Sequence, residues 1–185
     1  MNVWVSSDQH FLHKNILLYD KRNFQDEYEM GEYMIKQWNS LVEPEDVAIH
    51  LGDLFCGIGN RFDYVVQTIR RLNGKIILIP GNHDHQIKLY EREGIQVIKN
   101  VYMCVNGIMM SHYPIPETPY DGKKVRGIKN HIRRAYNKNN CWLHLHGHVH
   151  SMRAQTSNAI NVCCNQWDYK PLLVLGLLDE VKELH

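Results

Sequence analysis

The chain has no apolar run long enough to cross a bilayer; the longest, Leu172 to Leu178, falls well short of a spanning helix. Its start, Met1-Asn2-Val3-Trp4-Val5, shows no basic leader followed by a long apolar stretch. The expectation is therefore a soluble, unexported, cytoplasmic protein with no membrane partner. Cysteines are few, and Cys56, Cys104, Cys141, Cys163 and Cys164 are odd in number and lack C-x-x-C spacing. That suggests neither a disulfide framework nor a thiolate zinc site, and fits free thiols in a reducing compartment. An excess of either charge is also missing: a net charge of +1 argues against a strongly basic nucleic-acid platform. No repeat, low-complexity run or flexible linker divides the sequence, and 185 residues fit a single domain spanning 1–185 that can bury a core unaided. Neither a G-x-S-x-G elbow nor a G-x-x-x-x-G-K-[ST] loop is present, so a serine nucleophile and a phosphate-cradling P-loop are both poor readings.

Histidine, by contrast, is abundant. Four of the twelve, His144, His146, His148 and His150, crowd into seven residues, where a core would want apolar side chains. Short β-branched runs predict strands at Asn2 to Ser6, Val47 to His50, Lys75 to Ile79, Gly107 to Ser111, Trp142 to His146 and Asn158 to Cys163. Helical spacing of apolar residues predicts helices over Glu29 to Leu41, Arg61 to Leu72, Asp84 to Glu93 and Val125 to Asn137, with Gly176 to Leu184 beginning as strand and finishing as helix. Alternation of the two makes this an α/β protein. Arg126, Lys129, Arg133 and Arg134 are read as a solvated helix face.

The polar residues with metal-binding chemistry each follow a predicted strand. Asp8 and His10 follow the first, Gly52-Asp53 the second, Gly81-Asn82-His83-Asp84 the third, His112 the fourth and Gly147-His148-Val149-His150 the fifth. Ligands of open α/β sheets bind beyond the carboxyl ends of the strands, so these loops could converge on one site. Taken singly, Asp8-Gln9-His10 reads as a turn, Gly52-Asp53 as a cap and His112 as a hydrogen-bonded structural residue. Together, Asp8, His10, Asp53, Asn82, His112, His148 and His150 supply seven oxygen or nitrogen ligands and no thiolate. One ion would not use seven. With Asp53 as a bridge, the count gives four protein ligands to each of two cations roughly 3.5–4 Å apart. Such ligands suit manganese foremost, and also iron, cobalt, nickel or zinc. His83 can act as a proton donor, and Asp84 could orient it or cap the next helix. His146 is expected behind the ligands, His144 and Cys56 are expected to be structural, and Arg22 is the residue expected to contact substrate phosphate.

In order and spacing these motifs resemble the calcineurin-like metallophosphoesterase superfamily. They are D-x-H at Asp8 to His10, G-D at Gly52-Asp53, G-N-H-D at Gly81 to Asp84, His112, and G-H-x-H at Gly147 to His150, with a further family-like stretch from Asn165 to Pro171. The run from Asp8 to Ile16, D-x-H-F-x-H-x-N-I, is similar to that of the small single-domain bacterial and phage phosphoesterases. The resemblance implies a four-layer α/β/β/α sandwich. It also implies one metal held by Asp8, His10 and His150, a second held by Asn82, His112 and His148, and Asp53 bridging them. By the same resemblance, a hydroxide bridging the metals would attack phosphorus in line and His83 would protonate the departing oxygen. The sequence departs from the calcineurin-type phosphatases in one respect. Their G-D-x-x-D-R-G run is Gly52-Asp53-Leu54-Phe55-Cys56-Gly57-Ile58 here, which disfavours a protein Ser/Thr phosphatase.

The expected substrate is a small phosphodiester, nucleotide or phosphomonoester. A nuclease with the same metal chemistry would need a basic groove. A binding module that keeps the fold, like the scaffold subunit of retromer, would have lost the catalytic histidine, whereas His83 is present. The charge balance predicts weak, salt-insensitive association with nucleic acid when labelled DNA is titrated at several salt concentrations. Tight binding with a steep salt slope would promote the nuclease reading.

Overall fold

A computed structural model describes residues 1–116, 118, 121–152 and 158–175. In chain order the first half contains β1 (Val3–Ser6), α1 (Ile16–Tyr19), α2 (Glu27–Asn39), β2 (Val47–His50), α3 (Phe62–Arg71), β3 (Lys75–Leu78), α4 (Ile87–Arg92) and β4 (Gln96–Val97). The second half contains β5 (Tyr102–Val105), β6 (Ile108–Ser111), α5 (Lys123–Lys138), β7 (Leu143–His146), β8 (Ala159–Asn161), a 3₁₀ turn (Cys164–Gln166) and β9 (Leu172–Leu173). The expected C-terminal element, Gly176 to Leu184, lies outside the described residues. Among the described residues no helix is long and apolar enough to cross a membrane.

Two sheets form, ordered β4-β3-β2-β1-β9 and β5-β6-β7-β8. β1 to β4 run parallel with β9 antiparallel, while β6, β7 and β8 run parallel with β5 antiparallel. The period-2 alternation of side chains sorts the layers. Val5, Ile49, Ile108, Met110, Leu143 and Leu145 meet between the two sheets. On the far side of the first sheet, Trp4, Ala48, Ile76 and Leu78 pack against Met30, Met34 and Trp38 of α2 and Val65 and Ile69 of α3. On the far side of the second, Met109 packs against Ile132 and Ala135 of α5. This is the α/β/β/α sandwich that the sequence motifs imply.

Two departures from the sequence expectation have clear causes. α2 starts at Glu27 rather than Glu29, because the Asp26 carboxylate accepts from Tyr28 N and Glu29 N at 2.9 and 2.8 Å and caps the first turn. α4 starts only at Ile87, because the Asp84 carboxylate is engaged elsewhere and Gln86 leaves the helix without a side-chain cap. The expected solvated face of α5 also needs correcting at one position. Lys129 is buried, its Nζ 2.6 Å from Asp121 Oδ2 and 2.9 Å from the Pro116 carbonyl, and it ties α5 to the segment that follows His112.

Register then sets the position of the loops. Ser6, His50 and Leu78 are successive partners at the ends of β1, β2 and β3, and Ser111, His146 and Asn161 at the ends of β6, β7 and β8. Within each sheet the loops therefore leave at one level. A bridge from Ser7 to Cys163 joins the two sets across the sandwich.

Candidate metal centre

Beyond β1 the chain turns sharply, held by Asp8 N to Gly52 O and His10 N to Asp53 O, each 3.0 Å. Asp8, His10, Asp53, His148 and His150 all adopt left-handed backbone, with φ of 61, 54, 57, 73 and 47°. That conformation costs a non-glycine residue roughly 1–2 kcal/mol. Five such residues at one place mark a site whose geometry the surrounding fold over-determines. Close approach of the loops needs glycine as well: at Gly52, with φ 94°, and at Gly81, a Cβ would collide with Gly81 and with the Asp53 carboxylate respectively.

The loops bring all seven predicted ligand residues into one neighbourhood. Asp8 Oδ1 lies 3.8 Å from His10 Nε2 and 3.9 Å from His150 Nε2. Asp53 Oδ2 lies 3.6 Å from His10 Nε2 and 3.5 Å from His112 Nε2. His112 Nε2 is in turn 3.0 Å from Asn82 Oδ1 and 3.2 Å from His148 Nδ1. Two atoms each about 2.1 Å from a shared ion can be at most about 4.2 Å apart, so these spacings fit ions between the groups. The donor atoms are also aimed. Asp8 Oδ2 accepts from Ser7 Oγ, from His148 N at 2.9 Å and from Cys163 Sγ at 3.1 Å, while among the described residues the buried Oδ1 has no hydrogen-bond partner. The same holds for the buried His10 Nε2. His112 donates Nδ1–H to the Leu51 carbonyl at 2.8 Å, which fixes its tautomer and turns Nε2 toward the site. Unmatched buried oxygen and nitrogen atoms facing one another are what a divalent cation would satisfy, and the donor set suits one.

Electrostatics point the same way. Burial opposes ionisation of Asp8, yet His10, His112 and His150 hold its pKa well below the usual carboxylate range. Burial pulls His112 down, but Asp53 and Asp8 leave it raised. A field that favours positive charge on that ring also favours a cation beside it.

Several residues behind the ligands carry no signal in the sequence reading. Asp20 Oδ2 lies 3.5 Å from His150 Nδ1 and 3.0 Å from Arg22 Nε. The expectation that Arg22 contacts phosphate is corrected: its buried guanidinium is bonded to the Asp8 and Gln9 carbonyls at 2.8 Å and to Asp20, which leaves no face for a substrate. Arg22 instead locks the Asp8–His10 turn. The expectation for Asp84 is corrected too. It neither caps α4 nor bonds the His83 ring, but accepts from Asp53 N, Leu54 N and Gly81 N at 2.7, 3.1 and 2.8 Å and so joins two loops. Burial and the adjacent Asp53 carboxylate push Asp84 up to about 6. Cys56 is half-buried, with its Sγ 3.4 Å from His83 Nδ1. His144 has the expected structural place, its Nε2 2.8 Å from Ser111 Oγ. His146 is buried at the end of β7 with Nδ1 3.1 Å from the Gly147 carbonyl. The stretch after Asn165 supports the last loop: Gln166 Nε2 donates to the His150 carbonyl at 2.8 Å.

His83 lines the open side of the site, with its N–H on Asp53 Oδ1 at 2.8 Å and its ring edge-on to His10 at 5.3 Å. His13 also lies there, its Nδ1 3.3 Å from His10 Nδ1, and with His10 and Cys56 it forms a third group within reach of one ion. Because His10 turns Nε2 toward Asp8 and Asp53, its Nδ1 is left to hydrogen-bond His13, and we read His13 as supporting His10.

The model of the calcineurin-like phosphoesterase superfamily domain matches residues 1–166. An uncharacterized protein of Methanocaldococcus jannaschii is 39% identical over 82 residues, 44% of this chain and 46% of that protein. The Gene 66 protein of Mycobacterium phage L5 is 33% identical over 84 residues, 45% of this chain and 40% of that protein. The matched region thus spans less than half the length of either curated relative. A crystal structure of a protein of unknown function from Aquifex aeolicus superimposes with a TM-score of 0.79 at 28% identity, covering 100% of this chain and 99% of that one.

Saturating Mn²⁺ should raise the Tm of chelator-stripped protein, because the cation satisfies buried atoms that the fold leaves unmatched. At a hundredfold excess over Kd the gain is about 2.7 kcal/mol. Asp53→Ala should lose most of that rise, as read by thermal unfolding with and without metal. An undiminished rise in the variant would show that Asp53 holds no ion.

Proposed function

This chain belongs to the calcineurin-like phosphoesterase superfamily, and on that premise we propose that it is a metal-dependent phosphoric ester hydrolase acting on a small phosphodiester or phosphomonoester. The observation that carries this reading is the position of Asp53 Oδ2, 3.6 Å from His10 Nε2 and 3.5 Å from His112 Nε2, as a carboxylate shared by two cations would sit. In this proposal Asp8, His10 and His150 hold one divalent cation, Asn82, His112 and His148 hold the other, and Asp53 belongs to both. When bound, the pair would supply Lewis-acid stabilisation of the phosphoryl oxygens and activation of the attacking water. Manganese is the first choice, and the donor set also suits iron, cobalt, nickel or zinc. The five cysteines are free, which supports a reducing, cytoplasmic setting.

His83 is the proton donor in this proposal. Among the described residues, the side chains grouped within reach of one ion are Asp8, His10 and His150; Asp8, Asp53 and His112; and His10, His13 and Cys56; His83 is in none of these, while its ring lines the cleft beside His10. Its Nδ1 faces the Cys56 thiol, which leaves Nε2 for the cleft. Its main-chain N–H, bonded to Asp53 Oδ1, fixes where the ring starts. Asp84 is a positioning residue that sets the Asp53 and Gly81 loops against each other.

His83→Ala should leave the metal content unchanged and slow hydrolysis of an alkyl ester by about 10²–10⁴-fold, the range of general acid catalysis. A p-nitrophenyl ester, whose leaving group needs no proton, should slow much less. Elemental analysis and steady-state rates on both esters check this. Equal losses would favour phosphate positioning, and loss of metal would make His83 a ligand.

A further inference from the structure

The cleft above the metal centre has a volume of about 670 Å³, large enough for a phosphoester together with the group it carries. Its floor includes His10, His148 and His150, so a substrate whose phosphorus reaches the proposed cations must place the rest of its mass along the walls. The apolar part of its lining comprises Ile16, Tyr19, Val149 and Met152. Two of these are exposed where burial would be expected: Tyr19 is 74% and Met152 40% accessible. Such side chains grouped at the mouth of a cleft mark a surface that another molecule covers. Tyr19 is also held in place. Its ring meets His13 edge to face at 6.2 Å, and His13 meets His10 at 5.2 Å, which puts the tyrosine two ring contacts from a proposed metal ligand.

Resting on the phosphoesterase reading, we propose that Tyr19 is the stacking platform for a nucleobase, and that the substrate is a nucleoside phosphodiester whose base lies against Tyr19. A phosphate at the floor and a base on Tyr19 are separated by the ribose that joins them. Asn15, Thr118 and Ser151, which also line the cleft, offer hydrogen-bonding groups along that span. Stacking on an aromatic side chain recognises a flat ring without reading its edge, so Tyr19 would select for a base and be tolerant of which one.

The test compares wild type, Tyr19→Ala and Tyr19→Phe loaded with Mn²⁺, on the p-nitrophenyl ester of thymidine monophosphate and on methyl p-nitrophenyl phosphate. The two esters share a leaving group. Wild type should prefer the nucleoside ester, and Tyr19→Ala should lower that preference, as the ratio of kcat/KM values, about tenfold, with the loss in KM. Tyr19→Phe should keep it. Calorimetric titration with thymidine monophosphate and with methyl phosphate gives a readout that needs no turnover, and the affinity ratio should fall in the same way. An unchanged ratio in Tyr19→Ala, in rates or in titration, overturns the platform while leaving the phosphoesterase reading intact. Failure of metal-loaded wild type to cleave either ester overturns the phosphoesterase reading, and the titration still decides the role of Tyr19.

Discussion

Two carboxylates, Asp8 and Asp53, are buried at the ends of adjacent parallel strands, and most of the site is arranged around that constraint. A buried carboxylate without compensating charge costs several kcal/mol. The structure compensates one oxygen of each and leaves the other exposed to the site. Asp8 Oδ2 takes three donors while Oδ1 takes none, and Asp53 Oδ1 holds the His83 N–H while Oδ2 faces two imidazoles. The half-compensated pair is an electrostatic demand for positive charge at one place in the fold. The raised pKa of His112, which burial alone would lower, shows that demand acting on the protein's own groups.

Meeting that geometry takes backbone conformations that ordinary residues avoid. Asp8, His10, Asp53, His148 and His150 occupy the left-handed region because each loop must reverse within a residue or two of its strand and still point a side chain back over the sheet edge. The turns are held from behind. Arg22 bonds two carbonyls of the first loop and Asp20, Asp84 collects three N–H groups from the second and third, and Asn161 and Gln166 both donate to the His150 carbonyl. These charged and polar groups act through the backbone, and so a substitution at Arg22 or Asp84 would loosen the site without touching substrate.

The strands and the ligand residues were legible because both rest on local pattern. β2 matches the sequence expectation residue for residue, and β3, β6 and β7 end or begin one residue away from it. The convergence of the candidate ligands on one place was legible because aspartate, histidine and asparagine placed just after strands have little structural reason to recur five times. What was not legible depends on contacts across the chain. Asp20 and Cys163 are functional only through the side chains they meet, His150 and Asp8, and no spacing announces that. Arg22, expected on phosphate, and Lys129, expected in water, are both buried against carbonyls and a carboxylate, which only the folded contacts reveal. The hairpin from β5 to β6 carries a local signal: Asn106-Gly107, both with positive φ, is the two-residue turn such a hairpin needs. β4 and β9, each of two residues, are too short to show a period.

The central claim is that this arrangement holds two cations that share Asp53. It is tested most directly by anomalous diffraction at the manganese edge from crystals grown with Mn²⁺, together with the metal-to-protein ratio in solution. The account predicts two ions per chain, roughly 3.5–4 Å apart, with Asp53 between them, Asp8, His10 and His150 around one, and Asn82, His112 and His148 around the other. A single ion per chain, or a second one held by His13 and Cys56 instead, would contradict it.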